Sequence, residues 1–162
     1  MTQTNLLTQE TLVRLQRELA LAIENEDKKH KRIGEAAGPE SDWHDNAAYD
    51  EAMVQHGVAL SHLINMKVKL NNYKIIEPRE ETDTVGIGNT VIVRFSSMDV
   101  DEKFTILGPD DSGTRDEWIS FNTPVAKAML GKKAGEEVTL EVNNQKIKIL
   151  KILVGEFDNG AI

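Results

Sequence analysis

The chain has no cysteine. That absence excludes disulfides, zinc–thiolate sites and thiol catalysis outright. Long apolar runs are missing too: hydrophobic residues make up 40% of 162 residues, yet no run approaches the ~18 that a membrane span requires. The N-terminus lacks a basic-then-apolar signal region, so the expected location is the cytoplasm, away from any membrane. Positive charge is in short supply, with 19 Lys and Arg against 27 Asp and Glu and a formal net charge of −8. Phosphate affinity comes mainly from Lys and Arg releasing counterions, so the balance argues against a broad basic surface for nucleic acid. Any nucleic-acid work is local or performed through a partner.

What is present begins with a helix start. Thr8 is a capping residue, Glu10 suits the positive end of a helix dipole, and Leu7 and Leu12 stand at staple positions. A helix is predicted from Gln9. Leu12, Leu15, Leu19, Ala22, Glu26, Lys29, Ile33 and Ala36 then recur at threes and fours, the seam of an antiparallel or coiled-coil partner. Gly38-Pro39 stops the pattern. A second seam runs Tyr49, Ala52, His56, Ala59, Leu63, Met66, Leu70, Tyr73. Two such helices with a short link pack antiparallel, and ~28 residues each at ~1.5 Å per residue gives a hairpin on the order of 40 Å long. Glu26, Lys29 and His56 fall at similar distances from the turn and read as a polar layer that fixes register. The basic run Lys28 to Arg32 reads as a solvated face.

After residue 76 the periodicity changes. Residues 77–83 are acidic and nearly devoid of apolar content, a linker by composition. Short β-branched or alternating stretches follow at 90–95, 103–107, 117–121, 138–142 and 146–152, separated by turn signals. Pro124 to Leu130 suits one short helix, with Pro124 in its first turn and Gly131 just past its end. The expected fold class is α+β: a helical hairpin over residues 1–76, then a small domain over 84–156 with an antiparallel sheet and one short helix, and a flexible tail at 157–162.

Between the two predicted helices, residues 40–46 gather Asp42, Trp43, His44, Asp45 and Asn46. Two readings stand side by side. In one, Asp42 caps the second helix with Asp45 as its capping-box partner. In the other, the two carboxylates share one face and contribute oxygen ligands to a hard cation, completing a metal site that another protein owns. Trp43, an aromatic without a local core, inserts into a partner or folds back over the helix end.

These residues carry a resemblance that spans nearly the whole chain. Asp42-x-x-Asp45-Asn46-Ala47-x-Tyr49 resembles the Asp-x-x-Glu-Asn-Ala-x-Tyr tip of the GreA/GreB family of bacterial transcription elongation factors. Leu6-Leu7-Thr8 to Glu18-Leu19 is similar to that family's opening, and Ile119-Ser120-Phe121-Asn122-Thr123-Pro124-Val125-Ala126 to Leu130-Gly131-Lys132 to its C-terminal core. The resemblance implies an FKBP-like C-terminal domain docked on RNA polymerase beside its secondary channel, with the hairpin reaching inward. It implies that Asp42 and Asp45 help hold a catalytic Mg²⁺ of the polymerase, so that polymerase hydrolyses the 3′ end of a backtracked RNA. Asn46, Tyr49 and Trp43 would shape the tip, and Phe121, Asn122, Thr123 and Pro124 would dock on polymerase. The chain would then be a monomeric accessory factor, not itself an enzyme, and would bind no cofactor tightly when free. Asp45 departs from the family's Glu by one methylene, which leaves a second reading open, a channel binder that regulates or inhibits without cleavage. A prolyl isomerase is a third, and it would need an aromatic-lined pocket built from Phe95, Phe104, Trp118 and Phe121.

Overall fold

The computed structural model describes residues 3–38 and 46–158. The chain divides into two compact units, one of Val13–Asn72 and the other of Met1–Leu12 with Tyr73–Ile162.

The first helix, α1, spans Gln9–Ala37. It starts as the sequence predicts: the Thr8 side chain accepts from the Thr11 backbone N–H, and the Thr8 carbonyl takes the first helical bond from Leu12. It stops one residue short of Gly38, whose φ of +68° is the left-handed conformation that glycine adopts without a Cβ penalty. The second helix, α2, spans Ala47–Asn71. Both seams are visible in the burial. On α1 every seam residue is buried or half-buried, and on α2 the same holds from Tyr49 to Leu70. Contacts between the helices run Glu26 to His56, Lys29 to Gln55 and Ala36 to Asn46. As one number rises the other falls, so the pair is antiparallel.

Tyr73, expected as the last seam residue, is not helical. Asn72 is extended at φ −141°, and Tyr73 opens the strand β2 (Tyr73–Ile75), which pairs in parallel with β1 (Asn5–Leu7). Backbone pairing with a strand about seventy residues upstream outcompetes one more helical step, and nothing local in the sequence announces it.

The larger unit is built on a five-stranded sheet of β3 (Asn89–Phe95), β4 (Asp101–Leu107), β5 (Trp118–Ser120), β6 (Glu137–Thr139) and β7 (Lys146–Val154), in the order β5-β4-β3-β7-β6. The sheet is mixed rather than antiparallel throughout, because β5 runs parallel to β4. A register shift sits where β7 passes β3: Val93 faces Ile149 and Ile92 faces Lys151. Leu150 is therefore the extra residue of a bulge. Its insertion explains why buried residues on β7 are two apart at Ile147 and Ile149, then three apart at Ile152. The short helix α3 (Pro124–Met129) adds Ala126 and Met129 to the core of Val91, Val93, Ile106, Ile147 and Ile149. Residues 77–83 are not a free tether. The buried Asn89 side chain donates to the carbonyls of Arg79, Glu81 and Leu153, and its Oδ1 accepts from Gly86 N–H and from Arg79.

Candidate functional site

Asn46 closes the hairpin. Its Oδ1 accepts from the backbone N–H groups of Ala48 at 3.1 Å and Tyr49 at 3.2 Å, which are orphan donors of the first turn of α2. Its Nδ2 donates to the Ala36 carbonyl at 2.7 Å, an orphan acceptor of the last turn of α1. One amide side chain thus ties the end of one helix to the start of the next. Aspartate has only the accepting half of this chemistry. The N-cap of α2 is accordingly Asn46 and not Asp42. Tyr49 is half-buried in the first turn, and Asp50 adds an acidic side chain there. Asp42, Trp43, His44 and Asp45 lie outside the described residues, between the two helix ends that Asn46 joins.

Below the tip, two lysines of the basic run on α1 are engaged with their own helix, and Lys29 reaches Gln55 on α2. Lys28 pairs with Glu24 at 2.6 Å and Lys31 with Asp27 at 2.7 Å, both at i,i+4 spacing. The hydrogen bond from Lys28, and then its charge, hold the Glu24 carboxyl below its usual range. The hydrogen bond to Asp27, and then its charge, raise Lys31.

The segment singled out for docking is a turn that starts α3. Phe121 N–H bonds the Leu107 carbonyl, and its half-buried ring packs on the core. Ser120 Oγ accepts from Asn122 N–H, Thr123 Oγ1 donates to the Ser120 carbonyl and accepts from Ala126 N–H, and Pro124 occupies the first turn. Ser120, Thr123 and Pro124 are thus consumed by cap and turn chemistry. Asn122 and Pro124 are exposed, and with Lys127, Ala128, Thr139, Glu141 and Val142 they line a surface depression.

Among the described residues, the four aromatics Phe95, Phe104, Trp118 and Phe121 are buried or half-buried and pack into the unit. Phe95 and Trp118 are buried, Phe104 meets Phe95 edge-on at 6.2 Å between centroids, and the Arg115 guanidinium covers the Trp118 ring at 4.6 Å. Of the four, Phe95 alone lines one of the surface depressions described, with Arg94, Ser96, Met98 and Lys148 around it, most of them polar residues.

Sequence reasoning missed Asp111. It is fully buried, and its carboxylate accepts from the Thr8 N–H, the Thr8 hydroxyl at 2.7 Å and the Gly108 N–H. Gly108 must be glycine, because a Cβ there would stand 1.7 Å from the Leu6 carbonyl oxygen. The run Gly108-Pro109-Asp110-Asp111 reads as an ordinary turn, and a partner about a hundred positions away leaves no local signal.

The described residues define an α+β protein that carries a long helical hairpin, closed by an asparagine beside a short acidic segment. Comparison with known proteins gives the family. The model described as Transcription elongation factor, GreA/GreB, C-term matches residues 79–154. Transcription elongation factor GreA of Mycoplasmoides gallisepticum is 33% identical over 159 residues, covering 94% of this chain and 98% of that protein. GreA of Mycoplasma genitalium is 32% identical over 154 residues, covering 91% and 95%, and GreA of Bacillus subtilis is 33% identical over 114 residues, covering 68% and 72%. The crystal structure of GreA factor homolog 1 from Thermus thermophilus matches at 19% identity over 93% of this chain and 99% of that one, with a TM-score of 0.43, a likeness too loose to argue from. The chain belongs to the GreA/GreB family.

Proposed function

We propose that this protein is a transcription elongation factor that binds RNA polymerase at its secondary channel and stimulates the polymerase's own hydrolysis of backtracked RNA. The observation that carries this reading is kinship along nearly the whole chain with proteins named transcription elongation factor GreA. The hairpin geometry supports it, since Asn46 joins the last turn of α1 to the first turn of α2 at the hairpin's closed end, beside the acidic segment in sequence. The protein acts in the cytoplasm as a monomeric accessory factor rather than as an enzyme.

Asp42 and Asp45 would hold Mg²⁺ together with carboxylates of the polymerase. The donor set fits, because both side chains offer hard oxygen ligands, while two carboxylates are too few for a tight site in the free protein. The chemistry Mg²⁺ supplies when bound is Lewis-acid polarisation of the phosphodiester. The chain's own part is to deliver the two carboxylates and to keep them oriented from the closed helix ends. The exposed Asn122 and Pro124, with the depression they line, would dock on polymerase.

A second reading, a channel binder that does not cleave, is favoured by one feature: Asp45 is a methylene shorter than the family's glutamate, and catalysis is sensitive to misplacement of about 1 Å. Added to a polymerase complex stalled in a backtracked position, the wild-type protein should release short 3′ RNA fragments, and Asp45→Glu should do so at least as fast. Inhibited synthesis with no RNA shortening from wild type, restored to cleavage by Asp45→Glu, would establish the second reading instead.

A further inference from the structure

Midway along the hairpin, three side chains converge that the proposed function does not use. Glu26 and His30 stand four apart on α1 and so share one face, and His56 faces them from α2. Their potential ligand atoms all lie within 4.8 Å of one another. His56 Nε2 is 2.7 Å from Glu26 Oε1, and the rings of His30 and His56 are 5.2 Å apart between centroids. We propose that Glu26, His30 and His56 form a binding site for a divalent transition-metal ion of the Zn²⁺ class, which clamps α1 to α2.

The donor types select the ion. Two imidazoles and one carboxylate are the borderline ligands of zinc and its late first-row neighbours, not the all-oxygen set of Mg²⁺ or Ca²⁺. Ligand atoms of a tetrahedral ion at ~2.0–2.1 Å stand about 3.4 Å apart, so rotation of the side chains alone closes the cluster. Three protein ligands leave a fourth position, and it has access to water, because His30 is exposed while Glu26 and His56 are half-buried. Nearby cations do not occupy the site. The Lys29 ammonium is bonded to Gln55 Oε1 at 3.0 Å, Lys28 pairs with Glu24 and Lys31 with Asp27. Without metal, the His56–Glu26 contact serves as the polar layer of the seam; with metal, the same two groups and His30 become a cross-link between helices.

The test uses the full chain stripped with chelator. Calorimetric titration with Zn²⁺ should give one ion per chain, and Zn²⁺ should raise the melting temperature. His30→Gln removes an exposed ring whose one described contact is with His56, so folding is spared. This variant should bind Zn²⁺ more than ~10-fold more weakly, as even the loss of a ligand's supporting group costs that much. His56→Gln keeps a hydrogen-bonding partner for Glu26 and should lose affinity to the same degree. His62→Gln, on an exposed position of α2 outside the cluster, and Asp42→Asn with Asp45→Asn at the tip should both bind as wild type does. Absence of Zn²⁺ binding by wild type, or affinity unchanged in His30→Gln and His56→Gln, overturns the proposal.

Discussion

Asn46 does at one position what two capping residues do in most helical hairpins. Replacing it with Ala frees two N–H donors and one carbonyl, and a cap of this kind contributes about 1 kcal/mol. Asn46→Asp separates the two halves of its role: the accepting half survives, while the bond to the Ala36 carbonyl is lost. Both variants should unfold at lower denaturant, with Asp intermediate between wild type and Ala. If Asn46→Asp is as stable as wild type, the bond to Ala36 contributes nothing. Asp111 is the other residue on which much rests. Asp111→Ala buries the N–H groups of Thr8 and Gly108 without partners and should cost about 3 kcal/mol in an equilibrium denaturant melt. Neither role was legible locally. The sequence marks Asn46 as part of a family tip, and its capping geometry can be inferred only once both helix ends are known. Asp111 has no periodicity or motif to mark it.

At the level of elements, the seams of α1 and α2 were legible because burial on a helix repeats at 3.6 residues, and polar members such as Glu26 and His56 kept the phase. The strands were legible for the corresponding reason at period two. Three features escaped, the first being the parallel run of β5 beside β4. The parallel pairing of β1 with β2 joins residues about seventy positions apart, and the bulge at Leu150 breaks the alternation of β7 in midstrand. The burial pattern has a direct consequence for stability. Ile149 is fully buried in the sheet core, so Ile149→Ala should cost about 2–5 kcal/mol in a denaturant melt. Val54, on α2 with 67% of its surface exposed, should tolerate Ala within about 0.5 kcal/mol. Equal losses at the two positions would contradict the assignment of the core.

For the molecule as a whole, the absences noted at the outset fit the proposed role. The chain is acidic, and Lys28 and Lys31 of its basic run on α1 pair with carboxylates of the same helix. In the proposed role, the RNA and the catalytic centre belong to the partner and this chain adds two carboxylates. Among the described residues no helix is long and apolar enough to cross a membrane. The expected α+β class and hairpin were legible from periodicity alone, whereas the role of the acidic segment was not, because a helix cap and a metal ligand call for the same residues. The cap of α2 falls to Asn46, so the capping reading no longer needs Asp42. The most direct measurement is therefore the shortening of RNA in a backtracked polymerase complex, with wild type compared against Asp42→Asn/Asp45→Asn. The account predicts that the double variant still binds polymerase while stimulated cleavage falls to the rate of polymerase alone. Cleavage by the double variant at the wild-type rate would contradict it.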